Sequence, residues 1–385
     1  MKKILIIHPS SEMYGSDKIL VNILNILTSD NNCTLIVPHY GPLIENICKQ
    51  NININILYND KIPLIARKNF SLMGFCKFLW SFITFNSFLK RQNLSNPDIL
   101  YLNTLAVTPI SFFFKHTYKV IHVHEILKNS SLIHKIINTV AVKFNNKIIC
   151  VSEAVNKNLQ VVSSNKEKEK IITVHNGITF NDNFVANNEL QNFKTNKEKI
   201  NFALIGRIKP QQKGQILLIH AIAKIPKELL EKSHFYFIGS TVSGQEYMYD
   251  EINNEINKFN LNNYITLIPF IKNIEIVYNN IDVSIVPSLI DDSFPTTVLE
   301  SMYFSKPVIG SNMGGIPEMI VDKETGFIFQ SNNGTELSNY VQYFIMNPDK
   351  IKAMGNKGKN VFNAKFTLEK FNQKYNKILS EIQKQ

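Results

Sequence analysis

The sequence lacks the marks of several common protein classes. Its four cysteines, Cys33, Cys48, Cys76 and Cys150, are scattered without a C-x-x-C pair or a metal-ligand spacing. That argues against a disulfide scaffold or zinc module and predicts reduced thiols used for packing in a cytosolic protein. No apolar run is long and clean enough to span a bilayer. The opening MKKILIIHPS carries two lysines and a brief apolar run, but the run ends at His8 and Pro9, too early for a signal peptide, and predicts a first strand. After that strand stands HPSSEMYGSDK, without the G-x-G-x-x-G spacing that a nicotinamide-dependent oxidoreductase needs. No helix interleaves dense Lys and Arg with aromatics and no zinc or RNP-type motif occurs, which removes nucleic acid as a partner.

What is present is the composition of a folded soluble protein, 44% hydrophobic and 19% charged over 385 residues, too long for one ordinary core. Apolar β-branched runs alternate with helical stretches: KILIIH, CTLIVP, INILY, ILYLN, KVIHVH, KIICVS and IITVH, then NFALIG, FYFIG, YITLIP, VSIVP, PVIGS and GFIFQ. Such alternation predicts an α/β protein with two doubly wound, Rossmann-like parallel sheets, whose ligands sit beyond the carboxyl ends of the strands. The division expected is 1–185, 186–365 and a closing helical pattern over 366–385, with a polar, asparagine-rich linker at 179–199.

Charge is uneven. Residues 1–190 hold 20 Lys and Arg against 12 Asp and Glu, so most of the net charge of +11 is N-terminal and favours anionic partners, lipid headgroups and diphosphates among them. Within that half, FSLMGFCKFLWSFITFNSFL at 70–89 holds the only tryptophan, Trp80, flanked by Arg67, Lys68, Lys90 and Arg91. Two readings stand side by side: a core helix covering the first sheet, or a helix lying at a membrane interface with its apolar face among the headgroups.

The densest information lies at 282–318, DVSIVPSLIDDSFPTTVLESMYFSKPVIGSNMGGIPE. VSIVPS is a strand ended by a turn, and a helix is expected over 296–304, opened by Pro295. Ser293, Phe294, Pro295, Thr296 and Thr297 then surround a helix N-terminus whose N–H groups suit oxygen-rich ligands. Asp292 precedes the helix and Glu300 lies about two turns inside it, so both carboxylates can meet one elongated ligand rich in hydroxyls. Gly314 and Gly315 follow the strand PVIGSN and are expected to open another helix at 316–320, a turn suited to diphosphate oxygens.

This segment resembles the donor-binding core of glycosyltransferase family 4, retaining enzymes of the GT-B fold, whose signature is E-x7-E followed by a small-residue strand and a GG-x-P-E turn. The resemblance continues through GRIKPQQKG from Gly206, VHNGI from Val174, HVHE ending on Glu125, and the loop of Gly15 and Ser16. It implies two Rossmann-like domains facing a cleft, the N-terminal one for the acceptor and the C-terminal one for a nucleotide sugar, with the terminal helix crossing back to the first. By that resemblance Glu300 binds the ribose hydroxyls and Asp292 the donor sugar, although Asp is one methylene shorter than the family's Glu. Gly206, Arg207 and Lys213 stand near the donor diphosphate, where two cations stabilise a leaving group and replace a metal. The family spaces those cations by five residues and this chain by six, which brings Lys209 forward as a substitute. His124, closing the strand KVIHVH, is expected at the transferred sugar, and His122, on the opposite face, is expected to be structural. Gly15 and Ser16 approach donor phosphate and acceptor, Ser16 alternatively capping a helix. Asn176 and Gly177 form a structural turn, and Tyr278 and Ser288 shape the nucleotide pocket.

The activity implied is transfer of a sugar from a UDP or GDP sugar to a saccharide or lipid-linked saccharide, with retained anomeric configuration and no metal or cofactor. Surface polysaccharide assembly (O-antigen, capsule or lipopolysaccharide) at the cytoplasmic face of a bacterial inner membrane is the expected setting. A nucleotide-sugar 2-epimerase of the same fold is the alternative.

Overall fold

The computed structural model describes residues 1–65, 71–180, 193–242 and 244–383. The chain divides into two units, Met1–Gly177 with Leu368–Gln385, and Ile178–Thr367. Most of the linker expected at 179–199, and the expected boundary between 185 and 186, lie outside the described residues, as do Arg67, Lys68 and Phe70.

The first unit is a parallel sheet of seven strands, β1 (Lys3–Ile7), β2 (Asn32–Val37), β3 (Asn55–Tyr58), β4 (Ile99–Asn103), β5 (Tyr118–Val123), β6 (Lys147–Cys150) and β7 (Ile171–Thr173), in the order β3-β2-β1-β4-β5-β6-β7. Its central strands are nearly continuous apolar runs because helices cover both faces. The strand order reverses between β1 and β4, where a doubly wound sheet opens its ligand crevice. Ile7 is in register with Leu102, so His8 and Asn103 emerge side by side at that point. The C-terminal helix Leu368–Gln383 belongs to this unit, burying Phe371, Tyr375 and Leu379 with Ile4, Leu24 and Tyr101.

The helix Leu72–Arg91 packs one face into its own unit, as the core reading expected, and leaves other apolar side chains outward. Phe85 and Leu89 are buried, and Phe82 packs on Phe113 with ring centroids 4.1 Å apart. Met73, Phe75, Leu79, Trp80 and Ile83 point outward, Trp80 at 63% exposure and Ile83 at 65%. Among the described residues no helix is long and apolar enough to cross a membrane.

The second unit repeats the scheme with β8 (Ile200–Ile205), β9 (Ser233–Ile238), β10 (Ile265–Ile268), β11 (Val283–Val286), β12 (Val308–Ser311) and β13 (Gly326–Phe329), all parallel, in the order β10-β9-β8-β11-β12-β13. Here the order reverses between β8 and β11. The ends of the unit meet where Ile178 N–H donates to the Phe366 carbonyl at 3.2 Å. The helix expected at 316–320 is replaced by one short 3-10 turn, Ile316–Glu318, because Pro317 and the preceding glycines favour a tight bend over a continuing helix.

Truncating Phe371, which is 1% exposed, removes an aromatic ring from the first unit's core. Phe371→Ala should lower that unit's unfolding free energy by about 3–5 kcal/mol, measured by urea denaturation. A loss under about 1 kcal/mol, the range of surface changes, would show that the terminal helix is dispensable to that core.

Candidate functional site

Two loops leave the second sheet at its switch point. One follows β8 and runs Gly206, Arg207, Ile208, Lys209 into the short helix Pro210–Lys213; the other follows β11 and carries Pro287 to Asp292. Their backbones are braced together. Leu289 N–H donates to the Gln212 carbonyl at 2.9 Å, and Gly214, at φ +79°, lies so close to Pro287 that an added Cβ would stand 2.0 Å from its carbonyl oxygen. A left-handed residue with no room for a side chain must be glycine. The brace brings the Lys213 ammonium onto Asp292 Oδ2, a carboxylate oxygen that also accepts from Ser288 Oγ at 3.2 Å. Both partners are half-buried, so the pair is screened only in part.

The glycine pair acts differently from the sequence expectation. Gly314 sits at φ +56°, where an added Cβ would meet the Asp292 carbonyl oxygen at 2.1 Å, and Gly315 N–H donates to that same oxygen at 2.8 Å. With the Gly315 N–H committed to Asp292 and no helix behind it, this turn buttresses the Asp292 loop and is not an anion cradle of the helix N-terminal kind.

Beyond the loop, Phe294 is buried edge-on against Phe366, with ring centroids 5.7 Å apart, and Pro295 is the N-cap of the helix Thr296–Tyr303. Ser293 adjoins Asp292, and Thr296 and Thr297 form the first turn, half-buried. Glu300 lies two turns along at 5% exposure. Tyr278 OH lies 3.3 Å from Glu300 Oε2 and 3.2 Å from the Thr297 carbonyl, its one proton shared between the two acceptors, while its ring stacks on Phe304. Burial, with Glu300 beside it, pushes the Tyr278 phenol well above its ordinary pKa, so it stays a donor. Tyr278 and Ser288 therefore hold the two acids. The Arg207 carbonyl accepts from the buried Gln215 side chain at 3.0 Å, which fixes the turn after β8. Of the two lysines considered from the sequence, Lys213 is the one that reaches Asp292; Lys209 caps the short helix.

The remaining candidates belong to the first unit, at the carboxyl edge of its own sheet. Gly15 and Ser16 open the helix Gly15–Leu27, whose N-cap is Tyr14, so Ser16 is not the cap. Asn176 and Gly177 close the unit, the Gly177 carbonyl accepting from Asn22 Nδ2 at 3.4 Å. His124 follows β5, half-buried, its Nε2 at 3.0 Å from Asn103 Oδ1, and burial next to His8 pushes its pKa down to about 3. His122 is fully buried with Nδ1 at 3.0 Å from Tyr101 OH, and its ring centroid lies 4.2 Å from that of His124, so the two histidines share a face instead of opposing each other, as residues two apart along a strand do. Three residues here escaped the sequence reading: His8, Asp17 and Asn103. His8 Nε2 lies 2.6 Å from Asp17 Oδ1, and Asn103 Nδ2 lies 2.9 Å from His8 Nδ1. Their only sequence signal is polarity at the end of an apolar strand, shown by His8 after KILII and Asn103 in ILYLN.

This geometry has known counterparts. Residues 186–361 match the family model "Glycosyl transferases group 1". The fold is GT-B: the crystal structure of Anabaena Alr3699/HepE in complex with UDP and glucose superposes with a TM-score of 0.78, covering 99% of this chain and 100% of that one at 19% identity. An uncharacterized glycosyltransferase of Methanocaldococcus jannaschii, MJ1178, is 30% identical over 239 residues, 61% of this chain and 60% of that protein. The Staphylococcus aureus capsular polysaccharide biosynthesis glycosyltransferase CapM is 26% identical over 253 residues, 61% of this chain and 62% of that protein. The chain thus spans about three fifths of the length of these two curated relatives.

Because Gly314 meets the Asp292 backbone so closely, Gly314→Ala should cost the second unit more than about 1 kcal/mol, seen as a lowered thermal midpoint. An unchanged midpoint would mean that the Asp292 loop does not depend on this turn.

Proposed function

We propose that this chain is a retaining glycosyltransferase of family 4, moving a sugar from a nucleoside-diphosphate sugar to a saccharide acceptor. The observation that carries the reading is the Lys213–Asp292 pair at the switch point between β8 and β11, its lysine closing the segment after β8 that also carries Arg207. Cations at a strand-end crevice suit a diphosphate, and the two acids, spaced along one loop and helix, suit sugar and ribose hydroxyls. In this reading Arg207 and Lys213 stabilise the departing diphosphate in place of a metal ion, Asp292 contacts the donor sugar and Glu300 the ribose. Gly206 and the first-turn amides around Ser293 to Thr297 complete the donor contacts. In the first unit, His124 touches the transferred sugar, and Gly15 and Ser16 border the donor phosphate. The departing diphosphate takes the proton of the acceptor hydroxyl on the face it leaves, which retains configuration. UDP in the similarly folded HepE supports a uridine donor, and the CapM likeness supports surface polysaccharide assembly.

An assay of UDP and GDP sugars against saccharide acceptors, run in excess chelator, tests this reading. Glu300→Ala should raise the donor KM at least about tenfold, one lost hydrogen-bonded contact. Arg207→Ala should lower kcat about 10²- to 10³-fold, as expected when a charge-stabilising group is removed. Full activity in both variants would remove the site assignment, loss of activity in chelator would remove metal independence, and an inverted product anomer by NMR would remove retention. Epimerised donor in the absence of acceptor would favour the 2-epimerase.

The acceptor proposed is lipid-linked, presented at the cytoplasmic membrane face. The exposed arc of Met73, Phe75, Leu79, Trp80 and Ile83 adjoins Lys77 and ends on Lys90 and Arg91, pairing apolar surface with positive charge. The protein should co-sediment with vesicles containing phosphatidylglycerol, less so in high salt. Trp80→Ser with Ile83→Ser should weaken partition at least about tenfold, since each removes over 1 kcal/mol of apolar burial. Equal binding by the double variant would exclude this face.

A further inference from the structure

Behind His124 the first unit contains a buried polar chain, Asp17, His8 and Asn103, to which the donor chemistry assigns no role. Asp17 sits in the first turn of the helix Gly15–Leu27 at 0% exposure, with Oδ2 accepting from Tyr14 N–H at 2.9 Å and Oδ1 facing His8 Nε2 at 2.6 Å. His8, also at 0%, turns Nδ1 toward Asn103 Nδ2 at 2.9 Å, and Asn103 Oδ1 meets His124 Nε2 at 3.0 Å. The elements come together because β1 and β4 are neighbours at the sheet's switch point and β5 lies next to β4.

The donor and acceptor inventory of the chain fixes its protons. A carboxylate accepts, so the His8 proton is on Nε2, facing Asp17. The Asn103 amide nitrogen faces His8 Nδ1, and in this orientation that nitrogen is the acceptor. The Asn103 oxygen, pointing the other way, requires a proton on Nε2 of His124. We propose that Asp17, His8 and Asn103 are positioning residues that hold His124 as the neutral Nε2–H tautomer. The role of that tautomer in transfer rests on the glycosyl-transfer reading of His124.

The arrangement has one discrete alternative. A doubly protonated His8 would demand the opposite amide orientation, and the Asn103 nitrogen would then push the His124 proton to Nδ1. The proton inventory thus couples the charge of His8 to the tautomer of His124. Among the groups facing His124 are His8 and Asp17 through this chain, the His122 ring with its centroid 4.2 Å away, and Glu125, whose Oε2 accepts from His124 N–H at 3.2 Å and Leu105 N–H at 3.1 Å. Burial raises the Glu125 pKa and lowers that of His124 to about 3, so protonation of His124 is disfavoured across the neutral range.

Two-bond ¹H–¹⁵N spectra of the ligand-free full chain, with the His124 signals assigned by their loss in His124→Gln, test the relay without any substrate. Expected are a protonated Nε2, an unprotonated Nδ1 and no titration between pH 8 and 5. A proton on Nδ1, or charging of the ring near pH 6.5, the ordinary histidine value, would overturn the proposal. Asn103→Asp places a carboxylate against His124 Nε2 and should raise the ring's pKa by about 1–3 units, adding an acid limb to kcat/KM that the parent lacks. An unmoved titration in that variant would also overturn the relay. A moved titration with an unchanged kcat/KM profile would keep the relay and remove His124 from the transfer step.

Discussion

The contact on which the second unit's site depends is the ion pair between Lys213 and Asp292. The two residues are 79 positions apart and meet only because β8 and β11 are neighbours at the point where the strand order reverses. A half-exposed ion pair contributes at most about 1 kcal/mol on its own, too little to position two loops. The positioning comes from backbone contacts that leave no freedom: Gly214 against Pro287, Leu289 N–H on the Gln212 carbonyl, and the Gly314–Gly315 turn against the Asp292 carbonyl. Charges held by their own scaffold need little rearrangement to meet an anionic ligand, the preorganisation that electrostatic stabilisation requires.

The strands were legible because a parallel strand buried on both faces must be an apolar β-branched run, and all thirteen such runs form strands. Asp292 with Glu300, and Arg207 with Lys213, were each legible as a pair because spacing along one loop and its following helix is a local property, whereas the meeting of Lys213 with Asp292 follows from the strand order. The glycine pair was misread for the same reason: the 3-10 turn after it is local, but its partner, the Asp292 carbonyl, is over twenty residues back in the chain. The helix Leu72–Arg91 stayed ambiguous because its buried and exposed faces are both apolar, leaving no polar stripe to show which side meets the sheet.

His8, Asp17 and Asn103 were not legible at all. A lone polar residue at a strand end carries no pattern, and Asp17 looks like any acid in a first helical turn. Only the register of β1 against β4 sets the side chains of His8 and Asn103 next to each other, and only the opening of the helix Gly15–Leu27 delivers Asp17 to them. Asp17 then does two tasks at once, one oxygen fixing the loop at Tyr14 and the other fixing the His8 ring.

Both sheets reverse their strand order at one place, and the chemistry collected there differs according to burial. At β8 and β11 the Lys213–Asp292 pair keeps part of its surface in water, so charges of both signs are sustainable there and water screens part of their field. At β1 and β4 the groups are wholly buried, where an unpaired charge is costly and every polar atom needs a partner. A chain of directional hydrogen bonds ending on one carboxylate meets that condition. Solvent access is thus one physical difference that separates the ion pair at one switch point from the hydrogen-bonded chain at the other.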